Sequence, residues 1–385
     1  MTLFSDDASS PLGSDGPRPV VTPAQRRRRR GWIAFAVGFV VIAVLAFWPS
    51  AYVVQQPGPV YDTLGTAEHD GKEVPLITID DAETFPTDGT LDLLTVQVRG
   101  NPEQRATWFE VASAWFDPSK TVVPVEYVFP PDQTVEERNE QNAELMVDSQ
   151  QDAIAAALSQ LGYDFPQELA VGAIAKGSPA DGQLKVDDVI VAVNGTPVSD
   201  VASVRALLAE NGVDRAARFD VVREGVPTTV QVTPVESTTA DGTTAPVVGI
   251  GTKYDYDFPI DVEIQLDDVG GPSAGMMFAL GIGDKLTPGE LNGGENVAGT
   301  GTIAADGTVG PIGGIRQKLY GAQDAGAEVF LAPESNCDEV VGHVPDGLRV
   351  FAVGSLQDSI DVLDAVREGE DVASLPTCDT VMASR

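Results

Sequence analysis

The stretch "DDVGGPSAGMMFALG", residues 267–281, places one serine, Ser273, between a glycine-proline turn and an apolar segment that could begin a helix. A serine at this place is either the N-cap of the helix or a nucleophile presented at the helix start. A nucleophile needs a base, and histidine is the usual one. The chain has only two histidines, His69 and His343, and no local motif recommends either as a partner for Ser273.

Two kinds of base remain open at this point. Serine hydrolases with a histidine commonly show GxSxG around the nucleophile, and here only the outer glycines, Gly271 and Gly275, match that spacing. A histidine-dependent site would therefore require His69 or His343 to reach Ser273 in space. The other base is a lysine that stays neutral because burial disfavours its ammonium form.

Lys318 is the lysine that the helical spacing singles out. In "GIRQKLYGAQDAG", residues 314–326, Lys318 shares a stripe with Ile315, Ala322 and Ala325. A lysine in an apolar stripe either extends its ammonium group to solvent or is buried for a function. The helix alone does not decide between these two interpretations.

Two separated motifs carry a resemblance to a known family. "GGPSAGMMFAL", residues 270–280, and "GTGTIAADGTVGPIGGIRQKLYGAQDAGAEVFLAPESN", residues 299–336, resemble the proteolytic domain of Lon-type proteases, which use a Ser-Lys dyad. The resemblance implies Ser273 as the nucleophile and Lys318 as the general base. It also implies that Thr302 hydrogen-bonds the lysine.

The start of the predicted helix offers an oxyanion site. Backbone N–H groups near Gly271 to Ala274 would face a developing negative charge there. Asp267 and Asp268, just upstream, either help to orient the site or are solvated loop carboxylates.

The middle of the chain resembles a bacterial PDZ domain. The residues that carry this resemblance are "KGSPADGQLKVDDVIVAVNGTPV", 176–198. No clear hydrophobic-Gly-hydrophobic loop of the kind that binds a peptide carboxylate precedes them, and "GYDFPQELAV", 162–171, is the nearest candidate. Peptide binding and a PDZ-like spacer without a ligand therefore both stay open.

The N-terminal part predicts a membrane anchor. Residues 32–48 form an apolar run of 17 residues without a charge, at the short end of the range for a spanning helix. Arg26–Arg30 precede this run and favour a cytoplasmic N-terminus. The alternative is a cleaved signal peptide with "PSA", residues 49–51, as its processing site, but the apolar run exceeds a usual signal core. We expect a single-pass plasma-membrane protein with an extracytoplasmic catalytic domain.

Composition limits the partners and the cofactors. The 58 acidic and 24 basic residues give a formal net charge of −34, which disfavours nucleic acid as a partner. The two cysteines, Cys337 and Cys378, show no zinc-type spacing, and whether they form a disulfide stays open. No GxxxxGK[ST] phosphate loop occurs in the sequence. We therefore expect no metal, no cofactor and no ATP requirement.

These patterns predict an α+β protein: a Lon proteolytic-domain fold with an inserted or adjacent PDZ domain, preceded by one transmembrane helix. The predicted boundaries are a disordered cytoplasmic tail 1–30, a transmembrane helix 31–52, an N-terminal protease part 53–161, a PDZ domain 162–240, a Lon-type domain 245–368 and a C-terminal tail 369–385. Strand order favours insertion of the PDZ domain into the protease fold.

The overall layout is similar to the YlbL family of membrane-anchored Lon-like proteases. It implies an ATP-independent serine endopeptidase that cleaves exported or membrane proteins, with a PDZ domain that binds substrate or regulatory peptides. The alternative is a catalytically inactive envelope scaffold that bears a PDZ domain. The oligomeric state stays open, a homo-oligomer included.

Overall fold

The first described element is a helix that ends before a proline. The computed structural model describes residues 23–69, 71–131, 133–238, 244–267, 269–369 and 372–384. Helix α1 (Pro23–Ala46) ends three residues before Pro49, where the residue preceding proline disfavours helix, and a strand begins at Tyr52. The predicted transmembrane helix 31–52 is therefore helical only as far as Ala46. Across the described ranges, no helix combines the length and the apolar character needed to cross a membrane.

The predicted tail, 1–30, is only partly covered. Residues 1–22 lie outside the described residues, and Arg26–Arg30 belong to α1.

The segment after α1 contains the first strands of the fold and, at its end, a helix of 26 residues. Its elements are β1 (Tyr52–Asp62), β2 (Thr66–His69), β3 (Lys72–Pro75), β4 (Ile77–Asp80), β5 (Thr90–Arg99), α2 (Trp108–Ala114), β6 (Thr121–Pro124), α3 (Val125–Val128) and α4 (Val135–Gln160). Helix α4 begins at a capping box, in which the Thr134 hydroxyl accepts from the Glu137 N–H while the Glu137 carboxylate accepts from the Thr134 N–H.

The next segment, residues 167–256, forms a separate sheet with its own helix, and we call this segment the inserted module. Its elements are β7 (Gln167–Ile174), β8 (Val189–Val193), β9 (Thr196–Pro197), α5 (Val201–Asn211), β10 (Ala217–Arg223), β11 (Val226–Val232), β12 (Val235–Thr238), β13 (Thr244–Val247) and β14 (Ile250–Tyr256). The sheet order is β11-β10-β8-β7-β14, with β9 paired to β8. Buried side chains from its strands and from α5, among them Leu169, Ile190 and Phe219, form its own core.

The last segment carries both sequence motifs. Its elements are β15 (Asp261–Ile264), α6 (Gly275–Leu286), β16 (Asn296–Gly299), β17 (Thr302–Ile303), β18 (Val309–Gly310), α7 (Ile315–Ala325), β19 (Val329–Pro333), α8 (Cys337–Val340), β20 (Arg349–Val353), α9 (Leu356–Glu368) and α10 (Cys378–Ser384).

The main sheet combines strands from both sides of the inserted module. Its order is β20-β19-β16-β5-β1-β6. Strand β16 pairs in parallel with β5 and with β19, whereas β1 pairs antiparallel with β5 and β6. The segments before and after the inserted module therefore build one domain, which we call the flanking domain.

The core of the flanking domain surrounds helix α6. Met276–Leu280 are all buried, and the alanine-rich second half of α4 packs beside them with Ala153, Ala156 and Ala157 buried. The buried alanines form the apolar face of α4, because a helix buries its most apolar face.

Two predicted boundaries differ from the structure. The sheet of the inserted module continues to Tyr256, because β14 pairs with β7 along its whole length, whereas the sequence placed the end of this domain at residue 240. The predicted C-terminal tail contains α10, which a Cys337–Cys378 disulfide joins to α8. The sequence missed β14 because this strand pairs with β7, which lies much earlier in the chain, and such a distant pairing gives no local periodicity signal.

Candidate active site

Ser273 lies in a turn whose backbone is held from two sides. Its carbonyl oxygen accepts hydrogen bonds from Gly301 N–H at 3.0 Å and from the Thr300 hydroxyl at 2.9 Å. The preceding carbonyl, that of Pro272, accepts from the Ser149 hydroxyl of α4 at 3.0 Å. Helix α6 begins two residues later without a side-chain cap. Ser273 is therefore positioned by its neighbours and does not serve as the N-cap.

Lys318 is buried against this turn. Only 2% of the residue is exposed, and its Nζ lies 2.7 Å from Ser273 Oγ and 2.8 Å from Thr300 Oγ1. Burial lowers the pKa of Lys318 to about 7, because removal from water disfavours the charged form. Of the two sequence interpretations of this lysine, the structure has the buried one.

Thr300 restricts how the amine can be oriented. Its hydroxyl proton is donated to the Ser273 carbonyl, so toward Lys318 the same oxygen can only accept. One N–H of the amine is thereby directed at Thr300. A neutral amine held in this way can turn its lone pair toward Ser273 Oγ and receive the hydroxyl proton.

The hydrogen-bonded threonine differs from the one expected. The resemblance to Lon-type proteases implied Thr302. The hydroxyl within hydrogen-bond distance of Lys318 instead belongs to Thr300, which is fully buried. Thr302 pairs with Gly310 across the β17-β18 hairpin, and a Cβ on Gly310 would clash with the Thr302 hydroxyl. The Thr302 side chain therefore covers Gly310.

The expected oxyanion donors are also only partly available. The N–H of Gly271 donates to the carbonyl of Asn142 in α4 at 2.8 Å, so it is not free for a substrate oxygen. Within the described residues, no backbone acceptor is found for the N–H groups of Ser273 and Ala274. Of the predicted pair, Gly271 therefore has its N–H engaged, whereas in the described structure the N–H of Ala274, like that of Ser273, has no backbone acceptor.

Two further residues determine how closely helix α7 packs against the main sheet. Gly314, which precedes the helix, has a φ of 71°, and a Cβ there would lie 2.8 Å from the Val96 side chain of β5. The buried Asn336 accepts from Ile312 N–H and donates to the Ile312 carbonyl, both at 2.9 Å. Sequence reasoning missed Asn336, although it ends the "FLAPESN" stretch.

The two histidines have other partners. His69 Nδ1 lies 2.9 Å from Asp267 Oδ1, and His343 Nδ1 lies 3.1 Å from the Glu339 carbonyl oxygen. Of the candidate bases, the one whose nitrogen lies within hydrogen-bond distance of Ser273 Oγ is Lys318. Asp268 lies outside the described residues.

A cleft of about 410 Å³ opens above the Ser273 and Lys318 side chains. Its walls come from the end of β5, from Met146 of α4 and from the turn before Ser273. The walls combine apolar side chains, such as Leu94, with polar ones, such as Thr95 and Gln97.

Comparison with known proteins gives the same two modules. The Lon protease (S16) C-terminal proteolytic domain matches residues 264–366, and the PDZ domain matches residues 171–223. Lon protease 2 of Bacillus subtilis is 33% identical over 108 residues, which cover 27% of this chain and 19% of that protein. Lon protease 2 of Herpetosiphon aurantiacus is 36% identical over 110 residues, 27% of this chain and 13% of that protein.

The chain carries a Lon-type proteolytic domain and a PDZ domain. This combination is consistent with the predicted YlbL-like layout. The chain spans less than a fifth of the length of these two relatives. Among solved structures, the PDZ domain of an SdrC-like protein from Listeria monocytogenes is 14% identical, with a TM-score of 0.20 over 22% of this chain and 86% of that chain.

The PDZ domain has a sheet edge beside the Lon-type domain. Strand β14 is the last strand of its sheet, and Val248-Gly249-Ile250 leads into it. This is an apolar-glycine-apolar pattern of the kind expected before residues 176–198, and it follows them in the sequence. The chain runs from β14 through β15 to the turn that contains Ser273.

Proposed function

We propose that this chain is a serine endopeptidase in which Ser273 is the nucleophile and Lys318 the general base. The observation that carries the proposal is the buried Lys318 Nζ, 2.7 Å from Ser273 Oγ and with its pKa lowered to about 7. A lysine with such a pKa is half neutral near pH 7, which meets the requirement for a base at working pH. The similarity to Lon proteolytic domains supports the same assignment.

The proposed reaction follows from this geometry. Neutral Lys318 takes the proton of Ser273, and Oγ attacks the peptide carbonyl carbon. The N–H groups of Ser273 and Ala274 stabilise the oxyanion. The C–N bond then breaks, and the amine leaves with the proton from Lys318. Water, deprotonated by the same lysine, hydrolyses the ester and restores both residues.

Three preparations test the dyad. Wild type, Ser273→Ala and Lys318→Ala are compared for cleavage of an unfolded protein such as casein and for labelling by a serine-reactive phosphonate. We expect both variants to fold, to lose cleavage by at least about a thousand-fold and to lose labelling. Normal cleavage by either folded variant would refute the dyad. A wild type that neither cleaves nor labels would favour the inactive scaffold.

We also propose that cleavage needs no ATP and is limited to exposed, flexible segments. The sequence contains no phosphate-binding loop of the GxxxxGK[ST] type. Addition of ATP and magnesium should leave casein cleavage unchanged, and a stable folded protein should resist the enzyme. ATP-stimulated degradation of that folded protein would overturn this part of the proposal.

We propose that the N-terminal segment anchors the chain in the plasma membrane with the Lon-type domain outside. The support is the uncharged run 32–48 behind Arg26–Arg30, together with the exposure of its large side chains, such as Trp32, Phe39 and Trp48. Alkaline extraction of membranes should leave the full chain in the pellet and release a variant that starts at residue 53. Recovery of the full chain in the soluble fraction contradicts the anchor.

The PDZ domain is proposed to bind substrate or regulatory peptides along β14. Extended peptides add to exposed sheet edges in PDZ domains, and β14 lies at the edge of its sheet. Peptides that bind the isolated residues 162–258 should change the rate at which the full chain cleaves casein. Binding without any change in rate would contradict both proposed roles, and absence of binding would leave the PDZ domain as a spacer.

A further inference from the structure

The cleft continues well beyond Ser273. A second, larger part of about 730 Å³ lies between the end of β5 and the first half of α4. The two parts share Val96, Gln97, Val269 and Gly270, so they form one groove. A peptide that lies over Ser273 in an extended form and continues in this direction enters the second part.

One edge of β5 lines this groove, and its length determines how many residues of an extended peptide fit along it. Strand β16 covers this edge only along residues 90–93, whereas β1 pairs with the opposite edge as far as Arg99. The uncovered part, which includes Val96 and Val98, lines the groove. At about 3.3 Å per residue, Asn101 at the far end lies about 16 Å from Val96, so a peptide paired with β5 spans four to five residues between these two points.

Among the described residues that line the second part of the groove, the cationic side chain is that of Arg138. Its side chain is half-buried on α4, with the guanidinium carbon 4.8 Å from the centre of the Phe129 ring. Within the described chain, no carboxylate lies at ion-pair distance from Arg138, and burial lowers its pKa as expected for a desolvated cation. Stacking on a ring leaves the N–H groups at the edge of the guanidinium plane able to donate.

The surroundings of Arg138 favour an anion. Around it, the groove is lined by uncharged amide side chains, those of Asn101, Gln104, Asn139 and Asn142. None of the described residues that line either part of the groove is acidic, although the chain has 58 acidic residues. The second part of the groove, which among the described residues has Arg138 as its cation and no carboxylate, attracts negative charge in a protein that otherwise repels it.

We propose that Arg138 binds the carboxylate of an Asp or Glu side chain in the substrate, four to five residues from the scissile bond. This inference rests on the proposed proteolysis and names a determinant of its specificity. The guanidinium can donate two parallel hydrogen bonds to the carboxylate, and the neighbouring amides can donate others. A lysine at that place in the substrate would meet Arg138 as a like charge.

Matched peptides test this inference. Fluorogenic peptides with a fixed scissile bond would carry Glu, Gln or Lys at each position up to six residues away on either side. For wild type we expect Glu to exceed Gln about ten-fold in kcat/KM at one position four or five residues away, and Lys to be worst there. Arg138→Gln should remove this preference, and Arg138→Glu should make Lys the best residue.

The control separates a local effect from the loss of one positive charge. Arg349 lies on β20 at the opposite end of the main sheet, so Arg349→Glu changes net charge equally and should keep the wild-type preference. Phosphonate labelling of Ser273 verifies that each variant is folded. A flat scan in wild type, or an unchanged Glu preference in a labelled Arg138→Glu variant, overturns this inference alone. Cleavage that survives Ser273→Ala overturns the proposed function and this inference with it.

Discussion

At the scale of single residues, the site depends on one amine that burial keeps largely neutral. Desolvation lowers the pKa of Lys318 from the ordinary 10.5 to about 7. No charged neighbour contributes to this shift, so hydration of the lysine controls its basicity. Both the rate and the stability of the protein should therefore depend on pH through this one group.

The first prediction concerns the rate. Because only neutral Lys318 can accept the Ser273 proton, kcat/KM should rise with pH through about 7 and level off above it. Below pH 6 the slope should be about ten-fold per pH unit. Cleavage of a peptide without titratable side chains measures the profile. A midpoint above 9 would show that the lysine is not desolvated in the active form.

The second prediction concerns stability. The unfolded chain protonates this lysine below about pH 10, whereas the folded chain keeps it neutral down to about 7, so stability is lost as pH falls through this window. The loss is about 1.4 kcal/mol per pH unit. Urea unfolding of Lys318→Met should therefore show a higher stability than wild type at pH 7.5 and a weaker pH dependence. Equal pH slopes in both proteins contradict this interpretation.

The third prediction compares two threonines. Thr300→Val removes the acceptor that orients the amine, so activity should fall about ten- to a hundred-fold with a small change in KM. Thr302→Val removes a hydroxyl that lies over Gly310 and should cost much less. Parallel kcat and KM measurements distinguish them. A larger loss at Thr302 would restore the assignment made from sequence.

At the scale of elements, α7 brings the base to the sheet through a glycine. A side chain at Gly314 would meet Val96, and its φ of 71° is one that other residues adopt with strain. Gly314→Ala should therefore shift α7 outward, destabilise the domain by about 1–3 kcal/mol and hydrate Lys318. Thermal unfolding and the pH profile together test this fourth prediction, with Gly313→Ala as control because no atom lies within 4 Å of its Cβ position.

The helices and turns around the site also show which of its features could be predicted from the sequence. Helix periodicity placed Lys318 on an apolar stripe but did not decide whether its amine is buried. Lys318 is buried beside Ser273, whereas Ala325 of the same stripe is exposed. The sequence pointed to Thr302 as the partner of Lys318, whereas the structure gives this hydrogen bond to Thr300, two residues earlier. The distant residues Gly310 and Lys318 decide which threonine faces the amine, and the local sequence does not show them. Gly271 was misassigned for the same reason: its N–H partner, Asn142, belongs to a helix more than a hundred residues earlier.

At the scale of the whole molecule, a disulfide holds the last helix. Cys337 and Cys378 join α8 to α10 across 41 residues. Loss of a bridge of this span should cost about 2–4 kcal/mol. In the fifth prediction, Cys378→Ser lowers the unfolding temperature but keeps phosphonate labelling of Ser273 at low temperature. Loss of labelling in a folded Cys378→Ser protein would show that α10 supports the site itself.

The ends of the inserted PDZ domain meet where it joins the Lon-type domain. The rings of Phe165 and Phe258 are 5.1 Å apart, and Asp257 N–H donates to the Pro166 carbonyl at 3.1 Å. Helix α4 contacts the insert as well, since the Tyr256 hydroxyl donates to the Asp152 carboxylate at 2.8 Å. Because the insert enters and leaves the flanking domain at neighbouring points, a different domain whose own termini lie as close together should fit at this junction with Ser273 and Lys318 left in place.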